Sequence, residues 1–242
     1  MFIPQNIENF CQTINNWRED DRIIVIRIAG FPGSGKTVLG RWLSENLINC
    51  TLISTDTYIG SSNTAGDMDV MLGNLSDPIN WVNYERLQET LCTLKTGQDF
   101  SYTRYINYEN GIKEKTVSIT APTNGGIILV EGTGASHSDA ADFTDYSILI
   151  DTPFVLSSLR FLKRRRHPKS SASAGKEVRT RGNFNMLALA LHSRQLLIGV
   201  LSLVAAQNRL KSQADILFPH SLIPRPNPDV SLRTNYLGEP RL

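Results

Sequence analysis

Aliphatic and β-branched residues gather in five short runs, at 23–29, 51–54, 127–130, 146–150 and 215–218, with longer mixed stretches between them. In the first run only Arg27 interrupts the apolar residues, as expected of a strand covered on both faces in a parallel sheet. Further on, Val38, Leu39, Trp42, Leu43 and Leu47 recur at helical spacing and predict a helix with one apolar face. Strands alternating with helices predict an α/β doubly wound fold: a central, mostly parallel five-stranded sheet flanked by helices.

The pattern changes between residues 61 and 124. A polar loop is followed by a predicted helix over about 84–94 that ends at Gly97, then by aromatic and alternating segments. Residues 116–120 alternate as a half-exposed strand does. This region is read as an insertion forming a cap over the carboxyl edge of the sheet. The string SSASAG at 170–175 reads as a mobile loop, and residues 224–242, with four prolines, as a loose tail. Residues 186–206 are rich in Leu, Ala and Val, but His192, Arg194 and Gln195 break the run. That argues for a buried or dimer-forming helix rather than a membrane span, with a homo-oligomer as one consequence. The chain is read as one domain over 1–242.

Composition narrows the function classes. The 242 residues, 40% of them hydrophobic, suffice for a core. Lys and Arg number 25 against 23 Asp and Glu, a net charge of +2, so neither a dedicated nucleic-acid binder nor an acidic tail is indicated. Cys11, Cys50 and Cys92 lack CxxC spacing, which speaks against a zinc cluster or a disulfide framework. Residues 1–21 show no basic segment leading into an apolar run, so no signal peptide is expected and a reducing, cytoplasmic setting is.

The chemistry begins at GFPGSGKT, residues 30–37, which fits G-x-x-x-x-G-K-[ST] between a predicted strand and a predicted helix. Gly30, Gly33 and Gly35, with Ser34, let successive backbone N–H groups turn toward one center, and the helix N-terminus adds positive potential. Lys36 reaches the β- and γ-phosphates of a nucleotide, and Thr37 offers a hydroxyl to Mg²⁺. No Asp in the chain begins a DxxG or completes an NKxD, so GTPase signatures are missing. A small ATP-dependent kinase fits better.

Asp56 follows the second run, at the sheet edge where open α/β folds bind ligands, and is placed to take the proton of a hydroxyl acceptor. A turn or helix-capping role is the other reading of such an Asp. Glu131 and Asp151 each end an apolar run and compete as the carboxylate that assists Mg²⁺. The run Lys163 to Arg166, preceded by Arg160 and followed by Arg179 and Arg181, reads as a phosphate-clamping lid over about 160–182 or as a solvated basic face.

Taken in order, the P-loop, ISTDTY (53–58), DPINW (77–81), LKTG (94–97), ILVEGTGA (128–135), RFLKRR (160–165), RTRG (179–182) and ADILFP (214–219) resemble the uridine kinase and phosphoribulokinase family of P-loop kinases. The likeness runs from about residue 22 to residue 219. It implies a P-loop NTPase fold with an inserted cap and an arginine-rich lid, and a phosphotransferase using ATP and Mg²⁺. It makes Asp56 the catalytic base, favors Glu131 over Asp151 for the metal, and makes Arg160, Arg164 and Arg165 the lid cations. Tyr58 and Tyr105, with Asp56, are expected to line the acceptor site. Where nucleoside-specific members have Tyr-Asp-aromatic in the cap, this chain has Tyr105, Ile106, Asn107, Tyr108. The acceptor is therefore left open among nucleosides, pantothenate-like alcohols and sugar phosphates. The competing reading is a nucleotide-binding regulator that kept the cradle and lost acceptor chemistry; a polynucleotide-end kinase is a third.

Overall fold

The computed structural model describes residues 1–18, 20–58, 82–108, 111–132, 134–136, 138–166, 208 and 211–224. Five parallel strands form its center: β1 (Ile24–Ala29), β2 (Cys50–Ser54), β5 (Ile127–Glu131), β6 (Tyr146–Asp151) and β7 (Ile216–Pro219). They lie in the order β2-β5-β1-β6-β7. Every residue of β1 is buried, Arg27 included, which is why a charge within an apolar run did not disqualify the strand. The buried setting pushes the Arg27 guanidinium below its ordinary pKa, with the charges of Asp215 and Asp142 opposing. A single parallel bridge from Phe2 to Ile216 continues the sheet past β7.

The two faces of β1 feed two cores. Ile24, Ile26 and Ile28 pack with Leu39 and Leu43 of α2 (Lys36–Asn46) and with Phe10 and Ile14 of α1 (Ile7–Asn16). Helix α1 begins at Asn6, whose side chain accepts a hydrogen bond from the Asn9 amide at 2.8 Å. It is locked by Phe10 against Phe218, ring centers 4.5 Å apart. The strand–helix alternation read from sequence does not include this helix.

On the opposite face Val25, Ile128 and Val130 meet Leu87, Leu91 and Leu94 of α3 (Tyr84–Lys95). Asn83 caps that helix through the Arg86 amide at 2.9 Å, and the Gly97 amide donates to the Leu94 carbonyl to close its last turn. The helix expected over 84–94 thus exists, and within the proposed insertion it supplies the layer that covers this face of the sheet. The alternation noticed at 116–120 belongs to a longer antiparallel hairpin of β3 (Phe100–Tyr108) and β4 (Gly111–Ile119). Tyr102 stands opposite Val117, and both are buried in the second core. A short α4 (Ser138–Ala141) precedes β6, and α5 (Phe154–Arg166) follows it. Among the described residues no helix is long and apolar enough to cross a membrane.

Candidate active site at the carboxyl edge of the sheet

Strand order reverses at β1, whose neighbors are β5 and β6, and open α/β sheets bind ligands beyond the carboxyl ends at such a point. Pairing register brings Ile28, Glu131 and Ser54 level with one another across β1, β5 and β2. Gly30 and Asp56 each lie two residues past that line, so residues far apart in sequence converge on one edge.

Residues 30–35 form the turn between β1 and α2. Gly30, Gly33 and Gly35 have φ of +148°, +85° and +103°, values that side chains resist. A Cβ on Gly30 would come within 2.8 Å of Ser34 Oγ. The turn is braced from outside: Thr152 Oγ1 donates to the Ser34 carbonyl at 3.2 Å, and Phe31 meets Phe154 of α5 edge-on at 5.3 Å. Lys36 is buried, its Nζ donating to the carbonyls of Gly30 (2.8 Å) and Phe31 (2.9 Å). The Ser34 hydroxyl is buried without a hydrogen-bond partner. An unsatisfied buried hydroxyl, a lysine folded over its own loop and a helix N-terminus without a side-chain cap fit a phosphate chain.

Beside the turn, Thr37 Oγ1 donates to Glu131 Oε2 at 3.0 Å. Glu131 is almost fully buried. Burial pushes its carboxyl above the ordinary value; a hydrogen bond from Ser54 and the charge of Lys36 oppose this, the charge of Asp56 adds to it, and Thr37 opposes. A hydroxyl and a carboxylate are hard oxygen donors of the kind Mg²⁺ takes alongside phosphate oxygens, so this pair fits that ion. Among the described residues no cluster of three His, Cys, Asp or Glu side chains forms a metal cage. Asp151, the competing carboxylate, is paired with Lys211 at 2.7 Å.

Asp56 is exposed on a 3-10 turn, Thr55–Tyr58, directly after β2. An atom placed at the Cβ position of Gly132, the residue after Glu131, would lie 3.3 Å from Asp56 Oδ1, so the Asp56 carboxylate sits over the end of β5. Thr55 Oγ1 accepts from the Gly134 amide at 3.2 Å, Thr57 Oγ1 donates to the Ser54 carbonyl at 2.7 Å, and the Asn83 amide donates to the Tyr58 carbonyl at 3.1 Å. The first and last of these bonds tie the turn to the segment after β5 and to the start of α3, and the second closes it on its own strand.

The structure thus gathers Lys36, Thr37, Glu131 and Asp56. It places Tyr58 differently from the expected acceptor contact. Tyr58 is fully buried, its hydroxyl donates to Thr90 Oγ1 at 3.1 Å, and burial drives its pKa upward. A residue two past the turn's apex points inward, so Tyr58 supports the turn from below instead of facing an acceptor. Arg160 is exposed on α5, about 9 Å along the helix from Phe154. The side chains of Tyr105, Ile106, Arg164 and Arg165 lie outside the described residues, as do residues 61–80, 167–207 and the tail from 225. Sequence reasoning missed Ser54, Thr55, Thr152 and Tyr102, whose bonds to the site depend on pairings between distant segments. For Ser54 and Thr55 a signal existed, since both sit where the second run ends.

The fold and the glycine cradle define an α/β domain of the P-loop NTPase class. No protein-family model matches the chain. In sequence it is similar to the uridine kinases of Borrelia duttonii (strain Ly) and Borrelia recurrentis (strain A1), each 31% identical over 146 residues. That stretch covers 58% of this chain and 65% of each relative, so the chain spans just under two thirds of the length of the curated relatives it matches. In fold it is similar to a solved structure described as a possible uridine kinase from Bacillus stearothermophilus, with TM-score 0.50, 18% identity, and coverage of 88% of this chain and 96% of that one. The YGR205w protein gives TM-score 0.55 at 12% identity, with 89% and 91% covered. The resemblance to the uridine kinase-like P-loop kinases is borne out in sequence and in fold.

Proposed function

We propose that this protein is an ATP-dependent small-molecule kinase that moves the γ-phosphoryl group to a hydroxyl of a nucleoside-like or other small metabolite. The observation that carries this reading is the convergence of Asp56 with Glu131, Thr37 and Lys36 at one sheet edge. The curated uridine kinase relatives support it. Mg-ATP, when bound, supplies the phosphoryl group. Thr37 and Glu131 would hold the metal, which would neutralize phosphate charge, and Lys36, now on its loop carbonyls, would be the cation for the phosphate oxygens. Asp56 accepts the acceptor's proton as the oxygen–phosphorus bond forms and the bond to the leaving nucleoside diphosphate breaks. By the family resemblance, Arg160, Arg164 and Arg165 are the cations that would neutralize charge on the transferring group. Acceptor identity rests with the segment around Tyr105 and Ile106, and uridine is the first compound to try.

The test is phosphoryl transfer from Mg-ATP to a panel of nucleosides, vitamins and sugars by wild type and Asp56→Asn. The variant is expected to bind Mg-ATP normally and to lose about 10² or more in transfer rate, the scale of a lost general base. Equal rates in both proteins would assign Asp56 to the turn alone. Absence of acceptor-dependent turnover in the wild type would favor a nucleotide-binding regulator.

A further inference from the structure

We infer that Tyr102, on the β3–β4 hairpin, is a positioning residue for Asp56: its hydroxyl donates to the carbonyl of Thr57, the residue after Asp56, and so ties the catalytic turn to the hairpin. The inference rests on the reading of Asp56 as the proton acceptor.

The turn's other anchors come from different places. Gly134, beyond β5, holds Thr55, and Asn83 and Thr90, at and on α3, hold Tyr58. Tyr102 brings in the hairpin. Its ring is buried, stacked on Tyr58 with centers 5.3 Å apart and planes 27° from parallel, and the guanidinium of Arg86 lies 5.8 Å above it. Packing therefore fixes the ring, and the ring fixes where the hydroxyl ends. The Tyr102–Thr57 bond measures 3.3 Å, longer than a tight O–H···O bond, so a hairpin shift of a few tenths of an ångström tightens or breaks it. The strand that carries Tyr102 continues to Tyr105 and Ile106, the segment matched to the acceptor-binding part of the family. An acceptor that draws this strand inward would draw the Thr57 carbonyl with it and set the Asp56 carboxylate for proton transfer. Reaction rates respond steeply to misplacement of a catalytic group by as little as about 1 Å.

Tyr102→Phe keeps the ring and its stacking and removes only the hydroxyl. The experiment measures kcat and KM for wild type, Tyr102→Phe, Asp56→Asn and the double variant, with Mg-ATP and uridine, and with water as acceptor when uridine is omitted. Tyr102→Phe is expected to lower kcat about tenfold with KM for Mg-ATP unchanged. Added to Asp56→Asn it is expected to cost nothing more, because residues acting through one group are not additive. Amide hydrogen exchange of residues 55–58 should quicken in the variant while that of α2 does not change. Wild-type kcat in Tyr102→Phe, or a loss that adds in full to that of Asp56→Asn, overturns the inference and leaves the kinase reading standing. Unchanged transfer in Asp56→Asn, or no turnover of either acceptor by the wild type, overturns the reading and the inference together.

Discussion

Gly132, which follows Glu131, offers a quantitative test of how tightly the Asp56 turn is held against the end of β5. Its φ is +130°, a conformation reserved for glycine, and a Cβ added there would fall on Thr55 Oγ1. Gly132→Ala should therefore cost two things. Strained backbone contributes about 1–3 kcal/mol. Displacing Thr55 Oγ1 leaves the Gly134 amide buried without its acceptor, about 1–3 kcal/mol more. The sum, about 2–6 kcal/mol, is a large share of the roughly 5–15 kcal/mol that holds a domain together. Urea unfolding followed by circular dichroism would measure it in wild type, Gly132→Ala, Thr55→Ala and the double variant. Without the Thr55 hydroxyl the collision is gone and only the backbone term remains. Gly132→Ala should then cost about 1–3 kcal/mol less in the Thr55→Ala background than alone, a coupling that a double-mutant cycle reads directly. A Gly132→Ala protein within about 0.5 kcal/mol of wild type, the range of ordinary surface changes, would refute the reasoning. So would equal cost in both backgrounds.

Two further outcomes follow from the same edge. Lys36→Ala should weaken Mg-ATP binding at least several-fold in calorimetry, since a charge-assisted contact is worth roughly 1.5–3 kcal/mol; equal affinity would remove the phosphate cradle. The raised pKa of Glu131 means the native state keeps a proton that the unfolded chain has released above about pH 4.5, so this group's contribution makes stability fall as pH rises from there through the native value. Glu131→Gln should remove that part of the decline, and urea midpoints that fall with pH equally in wild type and variant would show that Glu131 is not its source.

What the sequence made legible is what is encoded locally. The P-loop needs its glycines, lysine and threonine within eight consecutive residues, so spacing alone displays it, and β1 and α2 on either side are visible from their own apolar periods. Glu131 and Asp56 could be picked out because each stands at or just past the end of an apolar run. Their relation to one another was not visible, since it comes from β5 inserting between β1 and β2, pairing residues 103 and 77 positions apart in the chain. The same limit explains α1: Asn6 as cap, with Phe10 and Ile14 one turn apart, is a helix signal, but only the sheet's uncovered face and Phe218 give those residues something to pack against. Tyr58 shows the limit most sharply. As an aromatic beside the proposed base it has the composition of a ligand contact, yet a single 3-10 turn after β2 leaves Asp56 in solvent and sends Tyr58 into the core toward Thr90. Neighbors in sequence thus end in opposite settings, one in solvent at the sheet edge and one in the core. The choice between them is made by α3 and the hairpin, whose bonds to this turn no local pattern records.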